Sequence, residues 1–165
     1  IEINTKNEEG GIMKRFFKKC EEFSICSEIA KSGDYFVDGY PDNITIYHIC
    51  IKGSVMLAKP FDNCIDIIPN GEIFDTKKYL YEKRLYHCKE DVYIFGFNPL
   101  TPDQDWNGEL IKDSFVGNDK SWLICFSGDP IINGIRLKFM DYAKLENKHY
   151  DVELNNAIVG VFTKL

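Results

Sequence analysis

The stretch SWLICFSGDPIINGIRLKFMDYAKLENKHYDVELNNAIVGVFTKL, residues Ser121 to Leu165, decides the fold of this chain. Three short apolar runs in it are separated by turn residues, a pattern typical of a β-meander that closes a sheet or a barrel. At its centre Asn133-Gly134 separates Ile131-Ile132 from the alternating residues 135–139. Because both turn residues tolerate a positive φ, the pair predicts a tight type I′ hairpin.

An earlier part of the chain resembles this block. Ile49-Cys50-Ile51-Lys52-Gly53 resembles Ile124-Cys125-Phe126-Ser127-Gly128, since each is an apolar run with cysteine at the same place and glycine at the end. The run from Glu90 to Phe97 resembles the run from Asn155 to Phe162. The shared order of features is consistent with an internal duplication. The alternative is that any two antiparallel β segments share such patterns.

The composition predicts one folded domain. A chain of 165 residues buries roughly 70% of its unfolded surface, and contents of 44% hydrophobic and 14% aromatic residues exclude a disordered chain. The net charge of −6 argues against nucleic-acid binding, which depends on basic residues that neutralise phosphates. No apolar run is long enough to cross a membrane as a helix. We therefore expect no nucleic-acid partner and no membrane.

The cysteines favour an intracellular, cytoplasmic protein. Their number, 6, is even and permits disulfides. Cys50 and Cys125, however, lie inside apolar runs, where a free thiol acts as a small buried hydrophobe. Residues 1–10 carry no apolar signal-peptide core, so we expect no such signal.

The rest of the chain is divided by turn residues. Residues 1–10 are expected to form a polar arm, and the helical spacing of Ile12, Phe16, Cys20 and Phe23 predicts a short helix over residues 12–23. A first β half covers residues 44–99, a long loop residues 100–120 and a second β half residues 121–165. The predicted strands up to residue 99 are Tyr35 to Val37, Ile44 to Ile51, Val55 to Leu57, Cys64 to Ile68, Tyr79 to Tyr86 (with a helix as the alternative) and Val92 to Phe97.

The predicted loop carries two aromatic residues, Trp106 and Phe115, among several acidic ones. Long loops without regular structure are usually functional, and tryptophan is enriched at interface hot spots. Trp106 and Phe115 are therefore candidate contacts for a protein partner. The alternative is that both rings fold back to cover the core.

The first β half contains a strand ending near Gly53, the turn Pro69-Asn70-Gly71-Glu72 and strand pairs that follow it. In these features the chain resembles the cupin family, over roughly residues 44–99 and, more weakly, 121–165. The resemblance implies a jelly-roll barrel with a ligand pocket in its mouth. The pocket residues that it implies are Tyr47, His48, Glu72 and His87.

Metal-binding cupins carry a His-x-His pair, a glutamate soon after it and a distant histidine. The nearest counterpart here is His48-x-Cys50, with no glutamate a few residues on and with His87 as the distant histidine. His48 and Cys50 share a strand face, so with His87 and Glu72 they offer nitrogen, sulfur and oxygen donors for zinc or iron. The alternative is a hydrogen-bonded core histidine, and the family's metal signature is incomplete. We therefore predict no metal.

No catalytic signature is present: the chain has no GxSxG, P-loop, dinucleotide fingerprint, HExxH or EF-hand loop. We accordingly predict no catalytic residue and no cofactor. The predicted fold is mostly β, a cupin-like or jelly-roll barrel or sandwich with a short N-terminal helix and similar halves.

Two functions remain open at this level. The first is a non-catalytic assembly or binding module that forms homo-oligomers or contacts other proteins, such as a component of a larger particle or virion. The alternative is a cupin-like small-molecule-binding protein or enzyme with its pocket in the barrel mouth.

Overall fold

The computed structural model describes residues 2–6, 12–37, 47–58, 64–76, 85–101 and 103–165. It folds as two compact units, Ile1–Leu100 (unit 1) and Thr101–Leu165 (unit 2). All regular elements in the described ranges are β-strands. These ranges accordingly contain no helix with the length and apolar character that a membrane crossing requires.

Unit 1 consists of two antiparallel sheets. The larger has the strand order β1-β2-β3-β10-β5-β8 and the smaller the order β4-β9-β6-β7. The strands are β1 (Glu2–Lys6), β2 (Ile12–Lys19), β3 (Phe23–Ala30), β4 (Tyr35–Val37), β5 (Tyr47–Lys52), β6 (Val55–Ala58), β7 (Cys64–Ile68), β8 (Phe74–Asp75), β9 (Leu85–His87) and β10 (Val92–Pro99).

The core of unit 1 contains side chains of both sheets. Strands β3, β5 and β10 of the larger sheet contribute Ala30, Cys50, Val92 and Ile94, and strands β6, β7 and β9 of the smaller sheet contribute Val55, Leu57, Ile68 and Tyr86. Because these residues belong to one buried cluster, the two sheets pack face to face. Strand β10 is central in the larger sheet, since it pairs with β3 on one side and with β5 on the other.

Unit 2 is built from shorter strands. They are β11 (Trp106–Leu110), β12 (Phe115–Val116), β13 (Ser121–Ser127), β14 (Ile131–Ile132), β15 (Ile135–Arg136), β16 (Tyr142–Lys144), β17 (His149–Tyr150), β18 (Val152–Glu153) and β19 (Ile158–Lys164). The main sheet has the order β11-β19-β13-β16, beside the pair β12-β17 and the sheet β15-β14-β18. The core of unit 2 includes Leu123, Tyr150, Val159 and Val161.

The two units share a strand order. In unit 1 the order β3-β10-β5-β8 places the last strand between the first and the second, and β11-β19-β13-β16 does the same in unit 2. Cys50 lies opposite Ile94 in unit 1, and Cys125 lies opposite Val159 in unit 2. The ladder shifts register immediately after Cys50 in one unit and after Cys125 in the other.

A glycine follows each register shift. Gly53 has a φ of 68° and Gly128 a φ of 82°, a backbone region that favours glycine. A Cβ added at Gly53 would lie 2.5 Å from the carbonyl oxygen of Asp91, and one added at Gly128 would lie 2.7 Å from Cβ of Ala157. Both positions therefore require glycine for backbone conformation and for space.

Several predicted elements are confirmed. The hairpin at Asn133-Gly134 joins β14 to β15, and the two residues have φ values of 48° and 78°. The strands predicted at 35–37, 55–57, 64–68 and 92–97 correspond to β4, β6, β7 and β10. The strand predicted at 44–51 is seen as β5, and the one at 79–86 is seen at its end as β9, while residues 44–46 and 79–84 lie outside the described residues.

The predicted N-terminal helix is wrong. Residues Ile12–Lys19 form β2 and pair with β3, and the Cys20 amide donates to the carbonyl oxygen of Phe23 at 2.8 Å within the connecting turn. This turn interrupts the segment that the helical spacing covered. The segment forms a strand and not a helix because pairing with β3 and β1 satisfies the backbone hydrogen-bonding groups of β2 on both sides.

Two further expectations are corrected. The polar arm expected at residues 1–10 includes β1, which pairs with β2, while residues 7–10 lie outside the described ranges. The loop expected at 100–120 contains β11 and β12. Strand β11 was missed because Trp106–Leu110 is short and contains Asn107-Gly108, a pair typical of turns. Its pairing with β19 shows that it is a strand.

The glycines after the register shifts provide a test of this architecture. Gly71 and Gly134 also have positive φ, but a Cβ there would meet nothing within 4 Å. We expect Gly71→Ala and Gly134→Ala to lower the free energy of unfolding by about 1 kcal/mol through strain alone. Gly53→Ala and Gly128→Ala add a steric clash and should cost about 3 kcal/mol in urea denaturation. Equal losses for all four variants would contradict the described packing.

Candidate functional site

The candidate site lies on the inward face of the larger sheet in unit 1. Directly opposed residues of antiparallel strands share a face, and every second residue of a strand returns to that face. Ile94 belongs to the core and lies opposite Cys50. His48, two residues before Cys50, therefore also faces inward, and it lies opposite Gly96.

Strand β3 extends the same row on the other side of β10. Cys26 lies opposite Gly96, and Glu28 lies opposite Ile94. The row across the three strands is therefore Cys26, Gly96 and His48, with no side chain at its centre. We call these three residues the glycine row.

Tyr86 of the smaller sheet faces His48 from across the interior. Its hydroxyl oxygen lies 3.2 Å from Nε2 of His48, in a hydrogen bond whose donor depends on the imidazole tautomer. The ring centroids are 5.5 Å apart. Tyr86 is 0% and His48 5% exposed, so the pair shares a low-dielectric environment in which such a bond is strong.

The interior is less tightly closed along β3. Cys26 and Glu28 face inward but are only half-buried, whereas Ala30 further along the same face is 2% exposed. An inward-facing side chain reaches solvent only where the opposite sheet does not cover it. The glycine row therefore runs from a solvent-accessible end at Cys26 to a buried end at His48.

The deeper cysteines are protonated and unreactive. Burial raises the pKa of the Cys50 thiol from 9.0 to about 12, and neighbouring Cys88 contributes to the rise. Burial raises the pKa of Cys88 to about 12 as well, with the carboxylates of Asp34 and Glu28 contributing. The Cys50 thiol donates to the carbonyl oxygen of Ile68 at 3.6 Å. Cys20, Cys26, Cys50, Cys88 and Cys125, the cysteines whose state the structure describes, carry free thiols.

The structure separates the four residues that the cupin resemblance implied. His48 is buried inside unit 1, while Tyr47, its neighbour on β5, faces the opposite side and packs edge-on against Phe97 at 5.9 Å. Glu72 is exposed in the turn before β8. His87 follows Tyr86 on β9 and so faces away from the interior, where its ring stacks on Tyr35 at 4.1 Å.

The two aromatic residues proposed as partner contacts are also placed. Trp106 begins β11 and is 5% exposed. Phe115 is half-buried against the core of unit 2, and its ring stacks on Tyr150 with centroids 5.4 Å apart. This packing of Phe115 corresponds to the alternative in which the rings cover the core.

The donors described here do not fit a metal centre. Within the described ranges, no group of three or more His, Cys, Asp or Glu side chains could hold a metal ion. His48 and Cys50 share the inward face, but His87 lies on the outer face of its sheet and Glu72 is exposed. The four side chains therefore do not converge.

Unit 2 has apolar residues where unit 1 has its site. The matched registers place Leu123 at the position of His48 and Val161 at the position of Gly96. Leu123 and Val161 are opposite each other and belong to the core of unit 2. At these matched positions, the buried histidine and the glycine are therefore found in unit 1 and not in unit 2.

Sequence reasoning identified His48 but missed Tyr86, Gly96 and Cys26. Tyr86 approaches His48 from another sheet, and no spacing rule links residues 38 positions apart. Gly96 offered a local signal, because glycine inside a buried strand marks a close approach of a ligand or of another chain segment. Cys26 was hidden by the incorrect helix, which ended at residue 23 and left β3 unrecognised.

No protein-family model and no curated protein matches the chain. Its fold is similar to that of several solved structures. HutD from Pseudomonas fluorescens SBW25 matches with a TM-score of 0.64 at 9% identity, over 99% of this chain and 95% of that one. The bacterial pirin YhhW from Escherichia coli, in complex with nickel(II), matches with a TM-score of 0.61 at 11% identity, over 98% and 94%.

A cupin 2 conserved barrel domain protein from Leptotrichia buccalis matches with a TM-score of 0.51 at 9% identity, over 99% of this chain and 92% of that one. The fold is therefore cupin-like, and the predicted resemblance is confirmed.

The buried thiols predict how stability depends on pH. The unfolded chain releases the protons of Cys50 and Cys88 near pH 9, whereas the folded chain keeps them up to about pH 12. The two thiols should therefore make their full contribution to the free energy of unfolding below pH 9. This free energy should fall as the pH rises towards 12, by about 1 to 2 kcal/mol per thiol at pH 10.5. Urea denaturation at pH 8 and 10.5 measures the fall. Cys50→Ala and Cys88→Ala should each reduce it, and an unchanged fall in both variants would contradict the assignment.

Proposed function

We propose that this protein is a cupin-like small-molecule-binding protein whose ligand occupies the interior of unit 1, above the glycine row. The observation that carries the proposal is the buried hydrogen bond between His48 and Tyr86 beside a position without a side chain. Buried polar groups are costly unless they are hydrogen-bonded, and an apolar pair of the same shape is often at least as stable, so a buried polar pair is consistent with a functional role. Ligand sites are typically apolar spaces with a few convergent polar groups.

The residues that face the interior of unit 1 indicate the chemistry of the ligand. Leu57 and Ile94 supply apolar surface, and the His48–Tyr86 pair supplies one point of hydrogen bonding. Glu28 adds a half-buried carboxylate that faces the same interior. A compact molecule with an apolar body and one polar group suits this lining best.

The similar structures favour this function over the assembly module. They are cupin-fold proteins, and one of them, YhhW, is described in complex with nickel(II). The described donors of this chain do not converge on a metal, so the proposal involves an organic ligand and no metal step. The comparisons lend no support to a virion component. Self-association and an intracellular location remain predictions.

We also infer that the two units descend from one duplicated module. The common strand order, the matched register at Cys50 and Cys125 and the glycines after each register shift support this. An experimental structure should superpose β3-β10-β5-β8 on β11-β19-β13-β16 with the two register shifts coinciding. Shifts at unmatched positions would contradict a duplication.

The binding function is tested on the purified full chain. Compounds that co-purify with the chain are extracted and quantified by mass spectrometry for wild type, His48→Leu and Tyr86→Phe. Leucine is the residue that unit 2 has at the matched position, so His48→Leu should fold. We expect each variant to lose about 90% of the retained compound, because a lost hydrogen bond in an apolar site weakens binding about tenfold or more.

His149→Leu is the matched control. His149 is exposed in unit 2 and pairs with Asp151 at 2.9 Å, so this variant should retain the compound at the wild-type level. Equal retention in wild type, His48→Leu and Tyr86→Phe would rule out the proposed site.

A further inference from the structure

Strand β11 forms one edge of the main sheet of unit 2. It pairs with β19 on one side, and no strand of the described residues pairs with its other side. In unit 1 the strand at the matched place is β3, which lies beside β10 as β11 lies beside β19. Strand β3 is paired on both sides, because β2 covers its outer edge. This edge of the shared strand order can therefore accept a further strand.

The backbone groups of β11 point alternately to β19 and to the open edge. The Ile111 amide donates at 2.9 Å to the carbonyl oxygen of Val159 in β19. Since the hydrogen-bonding direction alternates along an antiparallel strand, Glu109 also turns its backbone groups toward β19. Gly108 and Leu110 therefore turn their N–H and C=O groups toward the open edge, where a further strand would bond them.

The side chains at this edge are accessible. Asn107 and Glu109 are exposed, and Gly108 and Leu110 are half-buried. Glu109 lies opposite Val161, which belongs to the core of unit 2, so its side chain is on the inward face and is nevertheless exposed. The core of unit 2 therefore does not extend over β11.

The sequence of β11, Trp106-Asn107-Gly108-Glu109-Leu110, is complementary to itself in antiparallel order. Pairing two copies about Gly108 places Asn107 opposite Glu109 of the second copy, an amide donor against a carboxylate acceptor. The same register places Trp106 opposite Leu110, an aromatic against an aliphatic side chain. The two Gly108 residues exchange two backbone hydrogen bonds across the axis, with no side chain between them.

We propose that β11 is a self-association edge: two copies of this chain pair their β11 strands antiparallel about Gly108 and join the main sheets of their second units into one continuous sheet. The occupant is a second copy because this register matches each side chain of β11 with a suitable partner. An edge strand of 5 residues is far smaller than the roughly 20 to 30 residues a side of a stable interface. The dimer is therefore weak and forms at high protein concentration.

Glu109 weakens the pairing without preventing it. Charged side chains on edge strands commonly protect against unwanted strand pairing. In the proposed register the two Glu109 carboxylates lie diagonally across the axis, about 7 to 8 Å apart by strand geometry. Their repulsion in water at this distance corresponds to roughly a twofold to threefold increase in the dissociation constant. Removal of this charge should accordingly strengthen the dimer.

The first arm of the test follows amide hydrogen exchange by NMR on the full chain, from dilute to millimolar concentration. The amides of Gly108 and Leu110 should exchange rapidly in the dilute protein and slow down as the concentration rises. The Glu109 amide, which faces β19, should exchange slowly throughout. Sedimentation velocity should show the shift from monomer to dimer over the same range. A chain that stays monomeric, or a Gly108 amide already protected in the dilute monomer, would overturn the proposal.

The second arm compares dissociation constants of variants. Gly108→Pro removes the outward N–H and leaves the bonds to β19 in place, because proline is tolerated where the N–H of an edge strand faces solvent. It should weaken the dimer about tenfold or more, since both copies lose a backbone hydrogen bond. Glu109→Gln should strengthen the dimer roughly twofold to threefold. Glu153→Gln makes the same change of charge on the exposed end of β18 and should have no effect.

The outcomes distinguish this interface from other surfaces and from the proposed ligand site. A dimer whose dissociation constant is unchanged in both Gly108→Pro and Glu109→Gln uses another surface, and the proposal is then wrong. If Gly108→Pro does not fold, Glu109→Gln and the exchange of the Gly108 amide decide the question. His48→Leu should leave the dimer unchanged, because the inference does not rest on the ligand site of unit 1.

Discussion

The pairing of β10 with both β3 and β5 is the constraint on which unit 1 depends. This strand is hydrogen-bonded along its length to β3 and along residues 93–97 to β5. Its register determines that Cys26, Gly96 and His48 face inward together. A slip of one residue would turn His48 to the opposite face and remove its bond to Tyr86, because side chains alternate along a strand. The site is therefore a consequence of register.

The register shift before Gly53 helps to keep this alignment. Such an irregularity cannot move along the ladder without moving the residue of positive φ that follows it, and Gly53 is the residue that accommodates it. Unit 2 repeats the arrangement at Gly128. In both units the central strand pair is buried on both faces, which explains why β5, β10, β13 and β19 read as nearly continuous apolar runs.

Those features that local chemistry determines were predictable from the sequence. The type I′ turn at Asn133-Gly134 needs two adjacent residues that tolerate positive φ, and few other residue pairs do. Buried strands such as β6 and β10 were predicted because their apolar residues are flanked by turn residues. The resemblance between the halves also proved useful, since the alignment of Cys50 with Cys125 is the alignment that the two ladders adopt.

Features that depend on long-range pairing were not predictable. Phe16 and Cys20 fit a helical spacing, and nothing in the segment itself reveals that β3 will pair with it. The partner of His48 comes from a different sheet, so the sequence predicted a histidine site with the wrong neighbours. Residue types alone suggested His87, whereas the alternation along β9 turns Tyr86 inward instead.

The contrast between the units gives the site its physical meaning. Filling the row with Leu123 and Val161, as in unit 2, yields more buried apolar area and a stiffer strand, which both stabilise the fold. Unit 1 forgoes that stability at His48 and Gly96 while keeping the same strand order and register. Stability lost at a small number of adjacent positions within an otherwise consistent fold is what a functional site is expected to show. In our proposal, the ligand therefore binds where the packing of unit 1 departs from that of unit 2.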